Sequence, residues 1–301
     1  MKNVYREYLK SFFAEFDFPD EARTDILAVY EQILANEACS NTLWSAVEQY
    51  VDTSYDYDSF LGQVHSSLTD ADINCYIGEI IFVILLSRRL RELYHDEGIS
   101  DVIYKNTMLD IRYKLFECKC VYGVWGMFVA YWEKGFFKMT RFGLGRLQYD
   151  MTTFKNTYSG QGIELSEGSP ILNVHIPRTG TRLDYELVKD SYRQAIEFFA
   201  PWFKGDPVAF MCNSWLLYPK NKEILAPTSN LYKFMSDYDV FFTKDFSNYR
   251  EMWRLFDTQI TEDIDALPQD TSLRRAYADI MRRGEPLGTS HGVYVPQDID
   301  K

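Results

Sequence analysis

Residues 171–218 read ILNVHIPRTGTRLDYELVKDSYRQAIEFFAPWFKGDPVAFMCNSWLLY, and this stretch decides how the rest of the chain is read. The apolar run Ile171, Leu172, Asn173, Val174, His175, Ile176 ends at Pro177, and a short loop holding Gly180 follows. Val188, Tyr192, Ala195, Ile196 and Phe199 then fall at i, i+4, i+7, i+8 and i+11, the spacing of one helix face. A break is expected at Pro201 and at Gly205, Asp206 and Pro207, before a second apolar run over residues 208–217. Strand, helix and strand at this spacing predict a βαβ unit with parallel strands and a right-handed crossover. Ligands of such units sit beyond the carboxyl ends of the strands. Anions favour the helix N-terminus, where N–H groups and the helix dipole converge.

Working outward, 301 residues suffice for one large domain or two ordinary ones. The hydrophobic fraction is 46% and the aromatic fraction 16%, which predicts a sizeable packed core and excludes a disordered chain. The formal charge is −12, so nucleic acid and anionic membrane surfaces are expected to be repelled. The most apolar run, residues 80–86, is far too short to span a bilayer. The N-terminal pattern is charged and amphipathic, without the apolar core of a secretory signal. The five cysteines (Cys39, Cys75, Cys118, Cys120 and Cys212) are scattered, and Cys118 and Cys120 lack a second pair at zinc spacing. They read as reduced thiols in a cytoplasmic protein with no metal.

Residues 1–135 are expected to be helical almost throughout and residues 136–301 mixed α and β, so the predicted domains are 1–135 and 136–301. Thr69 is expected to cap a long, centrally placed helix reaching Tyr94, and a last helix to run from about residue 100 to 133, with Gly123 and Gly126 marking a kink or a close contact. Beyond it, the aromatics at 136–137 and the alternation of Leu147, Tyr149 and Met151 against Arg146, Gln148 and Asp150 read as strands, the latter half-exposed and antiparallel. Residues 157–169 read as a turn-rich connection with a small hairpin. Residues 219–228 read as a loop, Ser229 as the cap of a short helix, 239–242 and 292–295 as strands, and 248–256 and 272–283 as helices.

Several runs together resemble a set of bacterial proteins with a GNAT-like acyltransferase domain. They are Asn173 to Pro177 (NVHIP), Cys212 to Leu217 (CNSWLL), Ser229-Asn230-Leu231 with Phe234, Thr271 to Arg275 with Gly284, the Gly288 and Gly292 pair before Val293, and Gly143 to Tyr149 (GLGRLQY). The resemblance implies an α+β chain: an all-helical N-terminal domain followed by a GNAT-like mixed α/β domain whose central βαβ unit splays. It implies acetyl-CoA or another acyl-CoA as co-substrate, held in the gap with its pyrophosphate on the loop before the helix. Here that loop is Arg178, Thr179, Gly180, Thr181 and Arg182. It differs from the usual Gln/Arg-x-x-Gly-x-Gly/Ala, since the arginine stands one position nearer the glycine and Arg182 replaces the second small residue.

From the residues alone, Gly180 permits a tight backbone approach, and Arg178 and Arg182 add charge beside the helix start. Asp184 reads as the helix cap, competing for the same N–H groups. His175 lies in an apolar strand with Val174 and Ile176 on the opposite face, so it reads either as a satisfied core histidine or as the base that deprotonates an amine. Ser214 reads as a polar substrate contact, and Cys212 as packing or as a nucleophile served by His175. The resemblance adds Asn230 as a CoA contact and Tyr232 as the proton donor to the leaving thiolate. The implied activity is acyl-CoA-dependent N-acyl transfer to a small-molecule or peptide amine acceptor, with no nucleic acid or membrane partner. The helical domain would either cap the acceptor site or pair two copies in a homodimer. The alternative is a non-catalytic GNAT-like protein that binds a metabolite or partner.

Overall fold

The structure, a computed structural model, describes residues 2–296. The chain divides into two compact units, Met1–Gly143 and Leu144–Lys301.

Helices α1 (Lys2–Glu15), α2 (Asp20–Ala35), α3 (Glu37–Glu48), α4 (Tyr57–Asp70), α5 (Cys75–Asp96) and α6 (Asp101–Tyr122) build the first unit, with a single further turn, α7 (Lys134–Phe137). Helix α5 is its axis. Every residue from 80 to 87 is buried, and α1, α2, α3, α4 and α6 all pack on it. A helix apolar on all sides is stable in water only when enclosed in this way.

The ends of these helices depart from the sequence expectations. Thr69 does not cap α5; it lies inside α4 and its hydroxyl donates to the His65 carbonyl. Asp72, at φ 56°, stops α4, and the Asn74 side chain caps α5 by accepting from the Ile77 N–H. Helix α6 ends at Tyr122 rather than near 133. Gly123 takes φ 73°, a conformation in which glycine has no Cβ to clash, and it ends the helix rather than kinking it. Gly126 is the close contact, since a Cβ there would meet the Tyr76 backbone at 2.7 Å. Phe136 and Phe137, expected in a strand, are both buried on α7, where Phe137 stacks on Tyr57 at 5.5 Å and meets Tyr50 edge-on. Aromatic content misled there, because two adjacent rings can both face a core across one helical turn.

Strand β1 (Arg141–Leu144) carries the chain into the second unit. That unit contains β2 (Leu147–Thr153), the hairpin β3 (Tyr158–Gly160) and β4 (Ile163–Leu165), β5 (Pro170–His175), α8 (Tyr185–Phe203), β6 (Phe210–Ser214), α9 (Lys220–Ile224), α10 (Asn230–Asp237), β7 (Asp239–Asp245), α11 (Trp253–Phe256), α12 (Ser272–Arg282) and β8 (Gly288–Tyr294). From β2 onward the large sheet runs β2-β5-β6-β8-β7, with β5 and β6 parallel and the other neighbours antiparallel. The predicted βαβ unit is therefore β5-α8-β6. Helix α8 runs through Pro201, losing one N–H bond shortly before its end, and Lys204 in the left-handed region stops it. Strand β6 is shorter than the expected 208–217, because the Ser214 hydroxyl accepts from the Leu216 N–H and starts a 3-10 turn. The expected loop at 219–228 contains α9.

In the first unit Glu133 is fully buried, and its carboxyl is held well above its ordinary 4.5, first by burial and then by the neighbouring Asp110 charge. A carboxyl raised in the folded state binds more protons there than in the unfolded chain, so stability falls as pH rises from about 4.5 toward the folded value. Urea midpoints measured across pH are expected to show this decline in the wild type and a flatter profile in Glu133→Gln, which carries no titrating proton.

Candidate active site

Strand β5 pairs with β6 at only two positions, Leu172 with Phe210 and Asn173 with Met211. On its other side β5 stays paired to β2 through His175, and β6 stays paired to β8 through Ser214. Beyond Asn173 and Met211 the two parallel strands are therefore parted at their carboxyl ends while each keeps its outer neighbour. This opening lies where ligands of βαβ units bind.

The faces of the opening follow from the register. Leu172, Val174, Phe210 and Cys212 share the side covered by α8, where the Tyr192 ring lies 4.9 Å from Phe210. Asn173, His175, Met211 and Asn213 share the other side. Asp150 and Gln148 of β2 join it, opposite Asn173 and His175 respectively. On that side His175 Nε2 lies 2.6 Å from Asp150 Oδ2 and 3.3 Å from Asn173 Nδ2. Both His175 and Asp150 side chains are 18% exposed, so the pair is shielded yet reachable. A carboxylate on Nε2 favours the proton at that nitrogen and leaves Nδ1 as the basic one.

The loop after β5 is organised by its own side chains. Gly180 has φ 79°, and a Cβ there would meet nothing within 4 Å. The Thr179 and Thr181 hydroxyls lie 2.8 Å apart, and Thr179 Oγ1 accepts from the Thr181 N–H. Arg178 grips Asp257 with Nε and a terminal nitrogen at 2.8 and 2.7 Å. Asp257 also takes Arg274, which in turn pairs with Asp270. Two guanidiniums thus face two carboxylates, and the exposed Arg182 is the loop's outward cation. Asp184 caps α8, its Oδ1 accepting from the Glu186 and Leu187 N–H groups. The next residue, Tyr185, donates its hydroxyl to Asp237 Oδ1 at 2.6 Å and so ties α8 to α10. Burial pushes the Asp237 carboxyl up to about 6.

The remaining candidates lie around this region. Ser214 ends β6 on the α8 side, its hydroxyl taken by Leu216. Asn230 and Tyr232 are half-buried in the first turn of α10, which Ser229 caps by accepting from the Tyr232 N–H. Cys212 does not meet His175, because the register puts the two on opposite faces of the sheet. Its thiol is fully buried and pushed up to about 12 by burial, which removes the nucleophile reading. No sequence spacing marks Asp150 as a partner of His175; only the β2–β5 register brings them together. Among the described residues no cluster of His, Cys, Asp and Glu is placed to hold a metal ion, and no helix is long and apolar enough to cross a membrane.

The sequence profile of the GNAT-like C-terminal domain matches residues 142–294, more than half the chain. The chain belongs to this GNAT-like family. The profile of the N-acyltransferase N-terminal domain matches residues 7–139, so the helical unit of this GNAT-like protein also has a family counterpart. No curated protein sequence matches the chain. Among solved structures, it is similar to an acyltransferase mutant in complex with octanoyl-CoA, at 18% identity and TM-score 0.73, covering 96% of this chain and 88% of that one. It is similar to an acyltransferase in complex with decanoyl-CoA and teicoplanin, at 18% and 0.70, covering 95% and 87%. A third similarity is to an acyltransferase in complex with decanoyl-CoA, at 20% and 0.69, covering 98% and 99%. These likenesses establish the fold, a helical N-terminal unit followed by a GNAT-like mixed α/β domain, as the sequence resemblance implied.

The burial of the thiols has a direct readout. Timed alkylation of the native protein with site-resolved mass spectrometry is expected to label exposed Cys120 first. Cys212 and Cys118, both pushed up to about 12, are expected to react only in denaturant. Rapid native labelling of Cys212 would reinstate it as a reactive group.

Proposed function

We propose that this GNAT-like protein is an acyl-CoA-dependent N-acyltransferase that passes an acyl group directly to an amine on a small molecule or peptide. One observation carries the reading: the parted ends of β5 and β6 with the His175–Asp150 pair on their open side. The parted strands give a thioester a place to lie without competing with sheet hydrogen bonds. His175 takes the proton from the incoming amine, and Asp150 holds the ring in one tautomer and steadies the imidazolium. The amine nitrogen attacks the thioester carbon, the tetrahedral adduct collapses, the C–S bond breaks, and Tyr232 returns a proton to the CoA sulfur. Ser214 and Asn230 flank the path as polar contacts.

On this reading the pyrophosphate lies against Thr179, Gly180, Thr181 and Arg182. Arg178 shapes the loop through Asp257 and adds field at a distance. The solved relatives hold octanoyl- and decanoyl-CoA, and one of them teicoplanin, which makes medium-chain acyl-CoAs the first donors to try and amine-bearing peptides or small molecules the first acceptors. The balanced charge on Arg178 and the Asp184 cap favour the second reading, a GNAT-like protein that binds a metabolite or partner without chemistry.

The two readings separate in one series. Octanoyl-CoA is expected to raise Tm, because a ligand that binds only the folded state must do so. CoA thiol release is expected to depend on added amine across a panel of alkylamines, amino sugars and lysine peptides. Stabilisation without amine-dependent release would leave the binding reading, and no stabilisation at millimolar donor would end the acyltransferase reading and leave only a binder of another metabolite or partner. His175→Ala is expected to lower the amine-dependent rate by about 10²- to 10⁴-fold, with donor affinity unchanged. Asp150→Asn is expected to fall between His175→Ala and wild type.

A further inference from the structure

The β5–β6 register, carried two residues past its last pair, would set Asn213 beside His175 on the same face. The strands have parted by then, so the two side chains stand on opposite lips of one opening. Asn213 is exposed, and one side-chain hydrogen bond engages its amide oxygen. Thr289 of β8 donates its hydroxyl to Asn213 Oδ1 at 2.8 Å. With the oxygen engaged by β8, the NH2 group is left to donate to a ligand in the opening. The cross-strand neighbour of Asn213 is His291, whose ring meets Phe241 and Phe242 edge-on at 6.2 and 5.3 Å. Burial holds His291 below its ordinary pKa.

We infer that Asn213, aimed by Thr289, donates a hydrogen bond to the thioester carbonyl of the bound acyl-CoA and stabilises the oxyanion formed when the amine attacks. The inference rests on the acyltransferase reading and adds the group that receives the charge. As the nitrogen bonds to carbon, the carbonyl π electrons move to oxygen, and a preorganised N–H at that oxygen lowers the barrier. When the adduct collapses, those electrons re-form the carbonyl and expel the CoA thiolate. Asn213 is the catalytic residue here and Thr289 a positioning residue.

A test that needs no acceptor uses full-length protein with octanoyl-CoA labelled with carbon-13 at the carbonyl. Calorimetry reads donor affinity and difference infrared spectroscopy reads the carbonyl stretch. In wild type and Thr289→Ser the bound carbonyl is expected to absorb at lower frequency than free donor. In Asn213→Ala and Thr289→Val it is expected to move back toward the free value, with Kd altered less than about threefold, since a single neutral hydrogen bond adds little to ground-state binding. In turnover with the best amine of the panel, Asn213→Ala is expected to lower kcat by about 10²- to 10³-fold. Failure of wild type to bind the donor overturns the acyltransferase reading and this inference together. Donor binding with the same carbonyl band and kcat in Asn213→Ala overturns this inference alone. A wild-type band in Thr289→Val overturns the positioning role. Unchanged urea midpoints in the variants exclude misfolding as the cause.

Discussion

Two residue pairs join β5 to β6, while six join β5 to β2 and five join β6 to β8. The large sheet is therefore two well-paired halves connected by a narrow ladder, and the connection is completed from one side by α8. Tyr192 makes this clearest. Its ring lies 6.4 Å from Tyr149 on β2, 4.9 Å from Phe210 on β6 and 5.1 Å from Tyr294 on β8, touching both halves at once. Its hydroxyl, buried with it, is satisfied by Tyr238 at 2.8 Å. Such a layer can hold the halves together on the covered face while the β5–β6 ladder stops at its second pair.

Much of this frame was legible in the residue pattern. The 3.6-residue stripe of α8 and the apolar runs on either side of it are local signals, and burial of Val188, Tyr192, Ala195 and Phe199 is what they require. The errors fell where a backbone conformation rather than a pattern decides. Asp72 and Gly123 both take positive φ, one non-glycine and one glycine, and each ends a helix that periodicity would extend or shift. Phe136 and Phe137 carry strand propensity yet sit in one helical turn, where Tyr50 and Tyr57, about eighty residues earlier, pack on Phe137 and the Arg141 guanidinium lies over Phe136.

The candidate site was legible only in part, for the same reason. Alternation along β5 put His175 opposite Val174, and that placement is local. Its pairing with Asp150 depends on antiparallel register across 25 residues, and the tie from Arg178 to Asp257 spans 79. No sequence spacing encodes either contact. The same limit separates Cys212 from His175: each lies in a strand of the βαβ unit, and only the parallel register tells which face each one shares.

The Asp184 cap bears on how an anion can be retained. Its carboxylate already holds the two N–H groups that an incoming phosphate would seek, and it is tethered there by the chain. A tethered group competes at an effective concentration on the order of millimolar or more. Simple anions such as inorganic phosphate or sulfate are thereby at a disadvantage at this helix end. A long ligand that also threads the parted strands can offset the loss through its other contacts. On the acyltransferase reading, the same competition would hasten departure once those contacts are broken, and the overall charge of −12 would add to the outward push on a spent polyanion. On that reading the cap would act as a length filter on entry and an aid to turnover on exit.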